Sequence, residues 1–166
     1  MATQPFDPLR LLRALAAHGV RFVVIGGIAG RLHGSPTVTR DLDICYARDD
    51  ANLEVLATAL QQLRARLRGA ADPLPFRLEA RTLAAGDSFT LETDAGDFDL
   101  LGTPAGTSGY DELLRTAEEV DLEGLTVRVA SIDALIQMKR AAGRRKDMIE
   151  VEILSAVRDE LDRASG

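Results

Sequence analysis

Hydrophobic positions follow a helical period at the start of the chain and then give way to a short β-type run. Asp7-Pro8 is a typical helix start, with an N-cap acceptor followed by proline, and His18-Gly19 provides the stop. Apolar residues recur on one helical face between these signals, at Leu11, Leu12, Leu15 and Ala16. After Arg21, residues 22–25 are apolar and mostly β-branched, so 21–25 is a short run of the kind found in buried strands. The pattern predicts a helix followed by a strand.

Glycine marks the next boundaries. The first strand ends at Gly26-Gly27, and a short helical piece follows that closes at Gly34. Asp41–Tyr46 is predicted as a second strand. Asp49-Asp50 caps a helix that we expect to run to about Arg68. Residues 69–76 include two prolines and are predicted as a loop or a sheet edge.

Short strands and helices alternate in the second half of the chain. Strands are predicted at Ser88–Thr93 and 98–102 around a turn at 94–96, and in a hairpin over 120–122 and Leu125–Val129. Helices are predicted over 110–115, from a Ser131 cap through Lys139, and from near Lys146 onwards. The whole pattern predicts a single α/β domain over residues 1–166, with a small mixed β-sheet flanked by helices.

Composition narrows the classes of function. Hydrophobic residues make up 46% and charged residues 28% of the chain, as in soluble globular proteins. The net charge of −6 argues against a broad basic surface for non-specific nucleic-acid binding. No apolar run reaches the length of a membrane span, no signal-peptide layout is visible, and the single Cys45 cannot form an internal disulfide. We expect a cytoplasmic protein without membrane contact.

Three aspartates are candidates for metal binding. Successive strand residues point to opposite faces, so Asp41 and Asp43 share one face. Paired carboxylates repel each other unless a cation lies between them, and Mg²⁺ prefers such oxygen ligands. Asp99 follows on another predicted strand and would complete a set able to hold two ions. The alternative is that these acids are simply solvated, which is the role that we expect for Asp97 as a turn residue.

A second candidate feature is the glycine pair between the first strand and the short helix. Free backbone N–H groups and the helix dipole at Gly26-Gly27 favour phosphate, and glycine permits its close approach. Ser35 and Thr39 add hydroxyl groups between the glycines and the acids, as further nucleotide-binding candidates. The alternative is an ordinary tight turn.

These motifs together resemble a known signature. Their order is similar to the signature of the DNA polymerase beta-type nucleotidyltransferase superfamily: Gly26-Gly27, then Asp41-Leu42-Asp43, then Phe98-Asp99-Leu100. The stretches 131–139 and 143–147 resemble a minimal bacterial subgroup that includes abortive-infection type toxins of toxin–antitoxin systems. The resemblance covers residues 22–151, and it implies the polymerase beta-like fold.

The resemblance also implies an activity and its residues. The chain would transfer a nucleoside monophosphate from a nucleoside triphosphate such as ATP, with two Mg²⁺ ions, or Mn²⁺, bound by Asp41, Asp43 and Asp99. Asp99 would help to deprotonate the acceptor, and Gly26 and Gly27 would hold the triphosphate. Contacts to phosphate are implied for Lys139, Arg144, Lys146 and Asp147. Two departures stand out: Gly27 replaces a serine found in many members, and Glu150 stands where relatives often have aspartate.

Other readings stay open at this point. The chain lacks the Gly-x-Gly-x-x-Gly motif of a dinucleotide-binding fold, and it has no Gly-Lys-Ser/Thr that would indicate a P-loop. A catalytically inactive binding or regulatory partner with the same fold is the alternative to an enzyme, although all three acids are present. The sequence leaves the acceptor open among a tRNA end, a protein hydroxyl and a small molecule such as an aminoglycoside. An antitoxin partner also stays open.

Overall fold

The first half of the chain alternates helices and strands. A computed structural model describes residues 5–69 and 77–166. The elements up to residue 69 are α1 Pro8–Ala17, β1 Phe22–Ile25, α2 Gly26–His33, β2 Asp41–Tyr46, α3 Asp50–Gln62 and β3 Arg66–Leu67. Two helices start as the sequence indicates, because the side chain of Asp7 accepts a hydrogen bond from Arg10 N and that of Asp49 accepts one from Asn52 N.

The second half adds two β-hairpins to the sheet and closes with two helices. Its elements are α4 Ala80–Ala85, β4 Ser88–Thr93, β5 Gly96–Leu101, α5 Tyr110–Thr116, β6 Glu118–Leu122, β7 Leu125–Val129, α6 Ile132–Ala142 and α7 Arg145–Ser165. Ser131 caps α6, and Gly143 ends it in the left-handed region with φ of 67°. The chain can therefore turn sharply there and start α7 directly afterwards.

The described strands form one mixed sheet in the order β3-β4-β5-β2-β1-β7-β6. The strand β2 lies near its centre, antiparallel to β1 and parallel to β5. The register of β2 and β5 places Asp41 beside Asp97 and Asp43 beside Asp99. Acids that are far apart in the chain thus lie on the same face of neighbouring strands.

The opposite face of these two strands is packed in the core. Leu42 and Ile44 on β2, and Phe98 and Leu100 on β5, are all fully buried. Burying an apolar side chain of this size contributes about 1.5–3 kcal/mol, so four of them fix the register firmly. A slip of one residue would turn the aspartates into the core. Packing on one face therefore positions the acids on the other.

Most of the predicted elements are confirmed, including the mixed sheet and its flanking helices. The helix expected to reach about Arg68 is shorter: α3 ends at Gln62, Arg64 adopts a φ of 55°, and β3 pairs with β4. Sheet pairing overrides helix propensity in this segment. Asp97 is also a correction, because it lies in β5 rather than in the turn. The helix α4 was not predicted, and residues 70–76 of the predicted loop lie outside the described part.

Candidate active site

The three predicted metal ligands converge. Oxygen atoms of Asp41, Asp43 and Asp99 lie within 4.8 Å of one another, and all three residues are partly buried. The carboxylate of Asp41 is further oriented by the hydroxyl of Thr39, which donates to its Oδ1 at 3.0 Å. The sequence predicted this convergence, which depends on β2 and β5 being neighbours in the sheet.

Crowding of these acids changes their protonation. Burial, followed by the charges of Asp41 and Asp99, raises the pKa of Asp43 to about 8, although the charge of Lys139 opposes this rise. Burial also raises the pKa of Asp99, against the lowering effect of the Arg68 guanidinium. Without a cation, this raised pKa favours the protonated form of Asp43.

The donor set fits a hard divalent cation. All three side chains offer carboxylate oxygens, which Mg²⁺ and Mn²⁺ accept as ligands. The repulsion that raises the pKa of Asp43 is the repulsion that a dication between the carboxylates would relieve. Asp41, Asp43 and Asp99 are thus the residues able to hold the metal.

The glycine pair lies directly against these acids. Gly26 has a φ of 69°, and a Cβ atom built on it would overlap Oδ2 of Asp43 and lie 2.8 Å from its Cγ. A Cβ atom on Gly27 would lie 2.8 Å from both Cβ and Oγ1 of Thr39. No side chain within the described residues caps the N-terminus of α2. Its first backbone N–H groups can therefore donate hydrogen bonds to an anion beside the carboxylates.

The two predicted hydroxyl residues differ in position. Thr39 lines the cleft next to Asp41. Ser35 is buried and accepts a hydrogen bond from Thr37 N, and it does not line the cleft among the described residues. Thr37 in turn donates to Glu150 Oε1 at 2.8 Å, which ties the loop after α2 to α7. This geometry gives Ser35 a role in shaping the loop.

A basic wall from α6 and α7 faces the acids. Lys139 Nζ lies 3.3 Å from Asp147 Oδ1, and Arg144 Nε lies 2.7 Å from Asp147 Oδ2. The backbone N–H of Arg144 also donates to Asp147, in a capping box. These contacts, above all the hydrogen bond from the Arg144 side chain, hold the pKa of Asp147 below its usual range. Lys139, Arg144 and Lys146 all line the cleft.

Asp147 was predicted as a nucleotide contact, but its geometry favours a positioning role. Its side chain is fully buried, whereas those of Lys139 and Arg144 are 30% and 60% exposed. A carboxylate would also repel a triphosphate. Asp147 therefore lies beneath the two cations and fixes their positions.

Sequence reasoning missed Arg68. Its Nη2 atom lies 2.8 Å from Asp99 Oδ1 and 2.8 Å from the carbonyl oxygen of Leu91. We expected the helix to end near this residue, but a strand signal was present: arginines at 64, 66 and 68 alternate with Ala65 and Leu67.

The cleft between these walls has a volume of about 690 Å³, within the range of small-molecule sites. Apolar residues complete its lining, among them Val38 and Ile149, which are largely exposed. None of the helices in the described ranges has the length and apolar character needed to cross a bilayer.

Comparison with solved structures identifies the fold. The chain is similar to the lincosamide antibiotic adenylyltransferase LnuA bound to lincomycin, with a TM-score of 0.62 and 11% identity over 93% of this chain and 99% of that one. It is similar to ANT(2'')-Ia in complex with adenylyl-2''-tobramycin, with a TM-score of 0.53 and 16% identity over 96% of this chain and 97% of that one. It is also similar to a nucleotidyltransferase-like protein from Paracoccidioides brasiliensis, with a TM-score of 0.52 and 16% identity over 89% of this chain and 72% of that one.

At these identities the likeness concerns the fold, which is that of nucleotidyltransferases. The predicted fold is thereby confirmed. No protein-family model and no curated protein matches the chain. The predicted likeness to abortive-infection type toxins stays a prediction.

Proposed function

We propose that this chain is a metal-dependent nucleotidyltransferase that moves a nucleoside monophosphate from a nucleoside triphosphate to an acceptor hydroxyl. The observation that carries the proposal is the convergence of three carboxylates within 4.8 Å, beside a helix N-terminus. The shared fold with antibiotic adenylyltransferases supports it.

The carboxylates and glycines would bind the substrate end that carries the phosphates. Asp41, Asp43 and Asp99 would hold two divalent ions, which when bound polarise the α-phosphate and offset the charge of the leaving group. Backbone N–H groups at Gly26 and Gly27 would donate to phosphate oxygens, since no side chain in the described residues caps the N-terminus of α2.

Transfer itself needs one proton to move. The acceptor hydroxyl oxygen would form a bond to the α-phosphorus while the bond from this phosphorus to the bridging oxygen breaks, which releases pyrophosphate. Asp99 would accept the acceptor's proton, which is the role that the family resemblance implies for it. The same carboxylate would orient the hydroxyl before attack.

The basic wall would balance the negative charge that builds up on the leaving pyrophosphate. Lys139 and Arg144 are held by the buried Asp147 and are therefore oriented before substrate arrives. Lys146 lines the same part of the cleft. We assign these three side chains to the phosphates and Asp147 to their positioning.

For the acceptor, we propose a hydroxylated small molecule. Two similar structures hold lincomycin and adenylyl-2''-tobramycin, and this chain spans 99% and 97% of those two chains. The net charge of −6 does not favour a polyanionic acceptor. Transfer to RNA or to a protein would instead place the chain with the toxin-type members.

The test is transfer of an α-labelled nucleotide. The protein is incubated with each of the four nucleoside triphosphates, Mg²⁺, and in turn an aminoglycoside and lincosamide panel, total RNA, and a protein lysate. We expect labelled small-molecule product and pyrophosphate, both lost in EDTA and in Asp43→Asn. Asp97→Asn is the matched control, because it removes a carboxylate from the same sheet face outside the cluster. Absence of product with every acceptor, or equal activity in Asp43→Asn, would contradict the proposal.

A further inference from the structure

Arg68 directly follows β3 and contacts the acid cluster across β4. Its Nη2 atom lies 2.8 Å from Asp99 Oδ1, and its Nε atom lies 3.4 Å from Asp97 Oδ2. The same Nη2 also donates to the carbonyl oxygen of Leu91 at 2.8 Å. Arg68 itself does not line the cleft, so it acts on the site through Asp99.

The contact with Arg68 occupies one of the two carboxylate oxygens of Asp99. A charge-assisted hydrogen bond of 2.8 Å occupies Oδ1, and a guanidinium at that position repels any cation that approaches the same oxygen. An ion in the cleft can then take only the other oxygen. Asp99 is thereby restricted to binding through a single atom.

Binding through one oxygen distinguishes between divalent cations. Mg²⁺ requires near-octahedral geometry at short distances and is satisfied by single carboxylate oxygens and water. Ca²⁺ is larger, takes six to eight oxygens, and commonly uses both oxygens of a carboxylate. A site with a blocked oxygen therefore disfavours Ca²⁺ more than the smaller ions.

We propose that Arg68 is a positioning residue that selects small divalent cations over Ca²⁺ by blocking one oxygen of Asp99. This inference rests on the proposed function, since it concerns the metal site on which that function depends. A purely structural role, in which Arg68 only joins β3 to β4 and β5, would change stability without changing the preference between cations.

The test measures relative affinities without any turnover. Mn²⁺ binding is followed by electron paramagnetic resonance, and Ca²⁺ and Mg²⁺ are added as competitors, in the parent protein and in Arg68→Met, Arg68→Gln and Arg68→Lys. We expect the affinity for Ca²⁺ relative to Mg²⁺ to rise roughly tenfold in Arg68→Met and Arg68→Gln, because the freed oxygen permits bidentate binding. Arg68→Lys keeps a cation near Oδ1 and should largely retain the parent ratio.

Asp97→Asn is the control, because it removes the other acidic partner of Arg68 and leaves the bond to Asp99. Its cation ratio should equal that of the parent. If Arg68→Met does not fold, Arg68→Gln decides. An unchanged ratio in the variant that folds, or an equal change in Asp97→Asn, would overturn the inference while leaving the proposed function intact. Failure of the parent protein to bind Mn²⁺ would overturn both.

Discussion

Replacing Gly26 by alanine adds one methyl group at the point where α2 begins against the acid cluster. Gly26 has a φ of 69°, a conformation that costs an L-residue roughly 1–2 kcal/mol. The new Cβ atom would lie 2.8 Å from Cγ and 2.9 Å from Cβ of Asp43, closer than real atoms approach. Asp43 would have to leave its rotamer, at a further cost of about 0.5–1.5 kcal/mol. We expect a loss of about 2–3 kcal/mol in the free energy of unfolding.

Gly19→Ala separates the two contributions. Gly19 also has a φ of 69°, but apart from its chain neighbours no atom of the described residues would lie within 4 Å of a Cβ atom built on it. It therefore measures the backbone cost alone. For a chain of this length, about 1 kcal/mol lowers the melting temperature by roughly 2–4 °C, so Gly26→Ala should lower it about twice as far as Gly19→Ala.

Metal binding gives the sharper contrast between the two variants. Thermal unfolding is recorded with and without Mn²⁺, and Mn²⁺ affinity is measured directly. Gly26→Ala should bind Mn²⁺ at least about tenfold more weakly, because Asp43 is displaced, whereas Gly19→Ala should bind it as the parent does. The reasoning is refuted if Gly26→Ala retains parental Mn²⁺ affinity, or if both variants lose the same stability.

Three further predictions concern charge. Lys139→Ala should lower turnover about 100-fold. It should also cost about 1 kcal/mol of stability, more than the loss of an exposed lysine would, because Nζ pairs with buried Asp147. Turnover equal to that of the parent would remove Lys139 from the site. Asp147→Ala should cost about 2–3 kcal/mol of unfolding free energy, measured with urea, and Asp147→Asn should cost less. The stability that the Asp147 carboxylate contributes is present above the ordinary carboxyl pKa and is lost as the pH falls through its lowered pKa. Asp43 has a raised pKa of about 8, so the metal-free protein should lose stability as the pH rises from about 4 to 8. The affinity for Mn²⁺ should rise over the same pH range, because the ion displaces the proton of Asp43. An affinity independent of pH would contradict this displacement.

Local patterns were sufficient to predict the elements that carry the acids. The strand Asp41–Tyr46 is found with the predicted bounds, because alternation of acids with Leu42 and Ile44 is a strong period-two signal. The caps at Asp7 and Ser131 are likewise local chemistry. Since side-chain direction follows from strand geometry, the shared face of Asp41 and Asp43 was predictable too.

Contacts between distant segments were not predictable in the same way. Arg68 meets Asp99 only because β3 pairs with β4 at the sheet edge, and no local propensity specifies that pairing. The burial of Asp147 depends on how α7 packs on α6, which the sequence motif alone does not give. Both residues act by positioning others, a role that a motif describes poorly because it depends on three-dimensional neighbours.

The most direct test of the central claim is whether the acid cluster couples metal and nucleotide. A non-hydrolysable triphosphate analogue is titrated with Mn²⁺ into the parent protein and into Asp43→Asn, and both bound nucleotide and bound Mn²⁺ are counted. We predict two Mn²⁺ ions per chain in the parent together with the analogue, and weak nucleotide binding in EDTA or in Asp43→Asn. Nucleotide binding of equal strength in EDTA, or in Asp43→Asn, would contradict the account.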